Sequence, residues 1–216
     1  PQIMKAEGAG ERQKMIRLCA YESKYAFLLL AMVVIPLIAE METILHVWLG
    51  EVPVHAVMFC RFILIAALCD QISIGWTSAN QAIGKIRTYS IIFYTLKLFV
   101  IFIAWWCLQE GLPIISVMWG YVAIEFIGSF VRLPLMKHIA NIPITPFFKN
   151  VFLRIIGPLA TMVVVCYSSA ILIDIPYRLI LTFSCSLVVG VLSIWGFALN
   201  IEEKQYVKNI IKKLKK

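Results

Sequence analysis

The chain has 216 residues, 61% apolar and 15% charged, with a formal net charge of +8 and a mean hydropathy of +0.87. A soluble domain carries about 45–50% apolar and about 25% charged residues, so this chain has too little polar surface to cover itself in water and reads as an integral membrane protein. Lysines and arginines fall in short clusters between apolar runs rather than in one basic domain, which excludes nucleic-acid binding as the reason for the charge.

The opening residues PQIMKAEGAGERQK are polar, without the apolar core of a signal peptide. A start at Pro1 fits a processed protein or the carboxy-terminal part of a longer one. Residues 11–24 can form a cytoplasmic helix with Met15, Leu18 and Cys19 on one face. A hydrocarbon core about 30 Å thick needs about 20 helical residues, and six apolar runs meet that length: 25–47, 54–82, 89–108, 113–135, 151–173 and 177–199. The runs are continuous rather than alternating, and a backbone in lipid must satisfy its own hydrogen bonds, so they predict helices and not barrel strands. The expected fold is an all-α polytopic membrane protein with six transmembrane helices. Its parts are a cytoplasmic loop or amphipathic helix over 1–24, four spans over 25–135 and a cytoplasmic loop over 136–150. Two accessory spans over 151–199 and a basic cytoplasmic tail over 200–216 complete it. No fixed-period repeat interrupts this order.

Sidedness follows from the loops. Lys5, Arg12, Lys14, Arg17 and Lys24 precede the first span, Lys85 and Arg87 follow the second, and Arg132, Lys137, Lys149 and Arg154 surround the loop after the fourth. The tail adds Lys204, Lys208, Lys212, Lys213, Lys215 and Lys216, whereas the opposite loops, GEVPVH, QEGLP and DIPYR, hold only Arg178. Basic residues mark the cytoplasmic side, so both termini are expected there. Tyr25, Tyr89 and Trp195 fall at the inner interface, and Trp48, Trp105, Trp106 and Tyr177 at the outer one. In the tail, Val207, Ile210, Ile211 and Leu214 recur at helical spacing among lysines, which suits an interfacial helix on anionic lipid or a basic end that only fixes topology.

Four ionisable residues stand out well inside spans: Arg61 and Asp70 in the second, Lys97 in the third and Glu125 in the fourth. Each costs about 2.5–3.5 kcal/mol at a helix centre, and their charges sum to zero. They either pair, Lys97 with Glu125 for instance, or line a hydrated path. Asp70, Ser73, Thr77 and Gln81 follow one another at helical spacing and predict a polar stripe, with Asn80 beside it. Arg61, half a turn away, either snorkels outward or faces another helix. Thr182, Ser186 and Gly190, four apart, predict a close-packing face on the sixth span.

Enzyme chemistry has no support in these residues. There is no GxSxG, and the stretch IGWTSANQAIGKIRT shares only its Gly84–Lys85 pair with a phosphate loop. Glu42 and His46 are four apart, but two ligands are not a metal site. Cys19, Cys60, Cys69, Cys107, Cys166 and Cys185 contain no CxxC and read as small buried hydrophobes. Neither metal nor cofactor is expected.

The segments PQIMKAEGAGERQKMIRL, HVWLGEVPVH and NQAIGKIRTYSI resemble polysaccharide biosynthesis proteins. These are the Wzx-type oligosaccharide-lipid flippases of the multidrug/oligosaccharidyl-lipid/polysaccharide exporter superfamily. The resemblance covers roughly residues 1–150; the last two spans match only in general character. It implies a partial second lobe of a two-lobed helix bundle, in which the six spans would be helices nine to fourteen. The implied activity is translocation of an undecaprenyl-pyrophosphate-linked oligosaccharide across the bacterial inner membrane for surface polysaccharide or O-antigen synthesis. Other polysaccharide-assembly membrane proteins are implied as partners. On this reading Arg61 and Lys97 hold the pyrophosphate, Asp70, Ser73, Thr77, Asn80 and Gln81 line the cavity, and Asp70 or Glu125 couples transport to an ion gradient. Pro36 and Gly75 are the implied flexible points. The alternatives are a cation-coupled drug exporter of the same superfamily, an inactive truncated remnant, or a sugar polymerase or ligase. The last is disfavoured because such enzymes tend to carry a large outer loop.

Overall fold

The computed structural model describes residues 1–140, 143, 147–172 and 178–214, with side chains for all of these except 139, 140, 172, 206 and 210–214. The facing ends of the fifth and sixth expected spans at Ile173 and Tyr177 lie outside the described residues. So do Lys215 and Lys216 and the side chains of Ile210, Ile211, Lys212, Lys213 and Leu214. Every regular element among the described residues is helical: α1 (Gln2–Gly8), α2 (Arg12–Ala39), α3 (Met41–Leu49), α4 (Ala56–Gln71), α5 (Ile74–Ile83), α6 (Ile86–Gln109) and α7 (Ile114–Ala140). A π-turn (Phe148–Phe152) then leads into α8 (Leu153–Leu172); α9 (Arg178–Ser193) runs into a second π-turn (Ile194–Ala198), and α10 (Ile201–Leu214) closes the chain.

Among the described residues, five helical segments are long and apolar enough to cross a membrane: Arg12–Ala39, Ile86–Gln109, Ile114–His138, Phe148–Ile171 and Arg178–Ala198. The second expected span, 54–82, is instead the pair α4 and α5, bent by 47°. Two other boundaries shift. The expected cytoplasmic helix is continuous with the apolar run after it, because neither Gly nor Pro stands between Arg12 and Ile35 to stop the helix. That helix ends at Ala39 rather than Val47. Pro36 lacks the amide that would donate to the Met32 carbonyl; Ser186 of α9 donates its hydroxyl there instead, at 3.1 Å. At its other end, α7 continues to Ala140, well past the expected loop boundary at residue 136.

The long α2 is the shared wall of the bundle, packing against α4, α5, α8 and α9. Its buried side includes Met15, Cys19, Phe27, Leu28 and Ala31. Close approach is built in at two glycines. A side chain on Gly75 would place Cβ 2.0 Å from the Cys19 carbonyl oxygen, and one on Gly190 would place it 2.9 Å from Met32 Cγ. The Gly75 amide also donates to Ser23 Oγ at 2.9 Å. Thr182, Ser186 and Gly190 are buried, so the small-residue face of α9 is the one turned inward.

Polar groups that α2 buries are matched from elsewhere. Glu40, at the break between α2 and α3, is buried and meets the Arg178 guanidinium, whose Nε and Nη2 donate at 3.1–3.2 Å. Thr182 donates to the same carboxylate at 3.0 Å. Lys24 is not a solvated loop cation: it is buried, 2.6 and 2.8 Å from the two carboxylate oxygens of Glu203 in α10. Lys24 also donates to the Ala198 carbonyl at 3.2 Å, where Arg154 joins it at 3.4 Å. Glu203 accepts from the Asn200 amide at 2.6 Å, the reach-back of a helix-starting carboxylate. One side chain thus both begins α10 and pins it to α2.

Overpacking of a close helix contact costs about 1–3 kcal/mol. Gly75→Ala should therefore lower the thermal unfolding midpoint in detergent, whereas Gly8→Ala, which meets nothing within 4 Å, should not. Equal midpoints for the two variants would contradict the α2–α5 packing.

Candidate functional site

Helix α7 lies between α4 and α6 and packs extensively on both. It carries Glu125, Ser129 and Arg132 at i, i+4 and i+7, which places all three on one face. α4 delivers Asp70 at its last turn, and α6 delivers Phe93 and Lys97, one turn apart. Asp70 Oδ1 is 2.6 Å from Arg132 Nη2 and 3.7 Å from Lys97 Nζ. Lys97 Nζ is 2.9 Å from Glu125 Oε2 but off the line of a hydrogen bond, so that contact is an ion pair only. Arg132 Nη1 further donates to the Asp70 carbonyl at 3.0 Å and to Ser73 Oγ at 3.2 Å. Ser129 Oγ donates to the carbonyls of Cys69 and Glu125.

Two cations and two carboxylates therefore form one neutral chain, Arg132–Asp70–Lys97–Glu125. The Phe93 ring supports both cations: Arg132 Cζ is 4.2 Å and Lys97 Nζ 4.9 Å from its centroid, within range of cation–π attraction. The chain is dry at both ends and open in the middle. The Arg132 and Glu125 side chains are 3% and 7% exposed, those of Lys97 and Asp70 31% and 29%. Burial at the two ends makes separation expensive there. In the open middle, a loosely aligned ammonium sits beside a carboxylate it does not fully engage.

The expected polar stripe is interrupted. The break at Ile72–Ser73 leaves Asp70 and Ser73 beside Arg132, while Thr77, on α5, shares a 2.9 Å hydrogen bond with the Tyr89 hydroxyl. Asn80 is buried, with Oδ1 unpartnered among the described residues. Gln81 is exposed and faces the first residues of the chain across a cavity of about 650 Å³ that Gln2 and Ser78 also line. Arg61 does not join Lys97: its Nε donates to the Ile38 carbonyl at 3.0 Å, one of the last carbonyls of α2, which have no partner within their own helix. Lys97 and Glu125 pair as one of the two sequence readings has it.

Arg132 is the member that sequence reading misplaced. Its place near the end of an apolar run groups it with the cytoplasmic cations, yet it is the most deeply buried charge of the four. Its spacing from Glu125 was the available signal. Among the described residues no group of three His, Cys, Asp or Glu side chains is placed to hold a metal ion. His46 Nδ1 lies 3.3 Å from the Gly50 carbonyl, and all six cysteines are free thiols.

No family model, curated protein or solved structure matches this chain. The likeness to polysaccharide flippases rests on the residues quoted above.

Removing one partner of a buried ion pair costs about 3–5 kcal/mol, while replacing the pair with apolar groups is often neutral. Arg132→Ala should lower unfolding stability in detergent by about 2–4 kcal/mol, the lower bound allowing for the solvent that reaches Asp70. The double variant Arg132→Met with Asp70→Leu should recover most of that loss. Additive effects of the two sites would show that they are not coupled.

Proposed function

We propose that this chain forms part of the wall of a membrane transporter that moves an amphiphilic anion, a lipid-linked oligosaccharide with a pyrophosphate head, from one leaflet of a bacterial inner membrane to the other. The observation that carries the reading is the open middle of the charge chain. Lys97 stands in an otherwise apolar helix, partly exposed, in contact with two carboxylates and in hydrogen-bond alignment with neither. A purely structural pair gains most when both partners are dry and well aligned, and here the cation is partly exposed and poorly aligned. The apolar side of α6, with Leu98, Phe99, Ile101, Phe102 and Trp105 exposed, gives a lipid tail a surface to follow while the head crosses.

A pyrophosphate cannot shed its water into hydrocarbon unless charged and hydrogen-bonding groups replace it. Lys97 supplies the cation at the middle of the path. Arg132, held by Asp70 and Ser73, stays in place and keeps the site net positive when a carboxylate is neutralised. Cargo that takes Lys97 removes the cation from Asp70 and Glu125, and the reading assigns coupling to an ion gradient to these two carboxylates. The reading takes Arg61 as a strut between α4 and α2 rather than a cargo ligand.

In cells that depend on this protein, Lys97→Ala should reduce surface polysaccharide by about tenfold or more, the worth of roughly one charge-assisted contact. Lys97→Arg should retain much of it and Arg61→Ala most of it, with membrane insertion unchanged throughout. Undiminished polysaccharide in the Lys97→Ala strain would remove the cargo assignment.

A further inference from the structure

A second polar site lies away from the Asp70–Lys97 network, at the end of the bundle where α2 begins. There the first turns of α2, the α5 residue Trp76, Phe147 and Asn150 ahead of α8, and the start of α10 line a cavity of about 390 Å³. That volume is at the lower end of the range for small-molecule sites, the size of a headgroup rather than of a whole lipid. Arg17 and Glu202 both line it, and both lie near enough to Tyr21 to act electrostatically on its hydroxyl. Yet they form no ion pair with each other, and neither pairs with another described residue. Opposite unpaired charges in one small cavity are the complement of a dipolar ligand, not of a simple anion.

We propose that this cavity holds the headgroup of a zwitterionic phospholipid, with its phosphate on Arg17 and its ammonium on Glu202. The remaining wall fits both ends. Gln13, Asn150 and Asn200 offer side-chain amides that can donate to phosphate oxygens, and Arg guanidinium is the side chain best shaped to meet them. Tyr21 gives the ammonium an aromatic face, and Trp76, buried against Phe147, closes the inner wall. The position is also right. The polar start of α2 passes here into its apolar length, at the depth where headgroups lie and where aromatic side chains collect. The neighbouring Lys24–Glu203 ion pair fixes the first turn of α10, and with it Glu202, in the wall.

The test uses the full chain in detergent, with native mass spectrometry counting lipid bound during titration with phosphatidylethanolamine or phosphatidylglycerol. A parallel titration uses free phosphoethanolamine as competitor. Wild type should bind phosphatidylethanolamine about tenfold more tightly than phosphatidylglycerol, one charge contact in affinity terms. Glu202→Gln should bring the two lipids to similar affinity, and Arg17→Ala should weaken both. Both side chains are exposed, so the variants should elute as wild type does. Displacement by free phosphoethanolamine would assign recognition to the headgroup alone. Failure to displace, with the lipid preference intact, would assign it to headgroup and acyl chain together. Equal binding of the two lipids by wild type, a preference for phosphatidylglycerol, or a preference that survives Glu202→Gln would each overturn the proposal.

Discussion

A charge placed in hydrocarbon must find its opposite inside the protein, and the arrangement of α4, α6 and α7 follows from that requirement. At about 2.5–3.5 kcal/mol each on insertion scales, four unpaired charges would cost about 10–14 kcal/mol, as much as the whole stability of an ordinary domain, about 5–15 kcal/mol. Joining Arg132, Asp70, Lys97 and Glu125 into one neutral chain removes most of that cost. It also fixes which faces of the three helices meet. Since α4 and α6 bring one charge each and α7 brings two, α7 has to lie between them. The Phe93 ring under both cations adds attraction without adding charge.

The same rule operates along α2, where the backbone itself creates the polar groups. Pro36 leaves the Met32 carbonyl without its helical donor, and a hydroxyl from α9 fills the place. The helix then stops at Glu40, and that carboxylate draws in Arg178 and Thr182. At the other end, Lys24 and Arg154 converge on the Ala198 carbonyl as Glu203 starts α10. Each departure from regular helix is thus matched by a side chain from a different helix, so the interruptions that weaken single elements are the points at which the elements are tied together. This explains how a chain with few polar residues keeps its helices in fixed register when hydrophobic burial alone, in a lipid solvent, gives little preference.

What the sequence made legible was what depends on local periodicity and length. The apolar runs marked the helices, Thr182, Ser186 and Gly190 marked an inward face, and Lys97 with Glu125 marked a pair. What stayed hidden depended on a partner distant in the chain. Lys24 and Arg132 looked like loop cations because nothing nearby in sequence neutralises them; their partners are Glu203 and Asp70. The polar stripe on the second span was an extrapolation of straight-helix geometry through Ile72–Ser73, where the helix bends. The candidate site is therefore visible in three of its four charges, while the fourth, Arg132, reads in the sequence as one of the cytoplasmic cations at the end of its span.

The account's central claim is that the charge chain is closed to water at its two ends, Arg132 and Glu125, and open to it in the middle, at Asp70 and Lys97. With the native cysteines replaced, single cysteines at positions 97, 125 and 102 can be exposed to a charged, membrane-impermeant thiol reagent in vesicles. Fast labelling at 97, together with slow labelling at 125 between its packed helices and at 102 on the apolar side of α6, is the expected pattern. Equal protection at all three positions would mean that Lys97 faces lipid or protein instead of water, and the open middle of the chain would not exist.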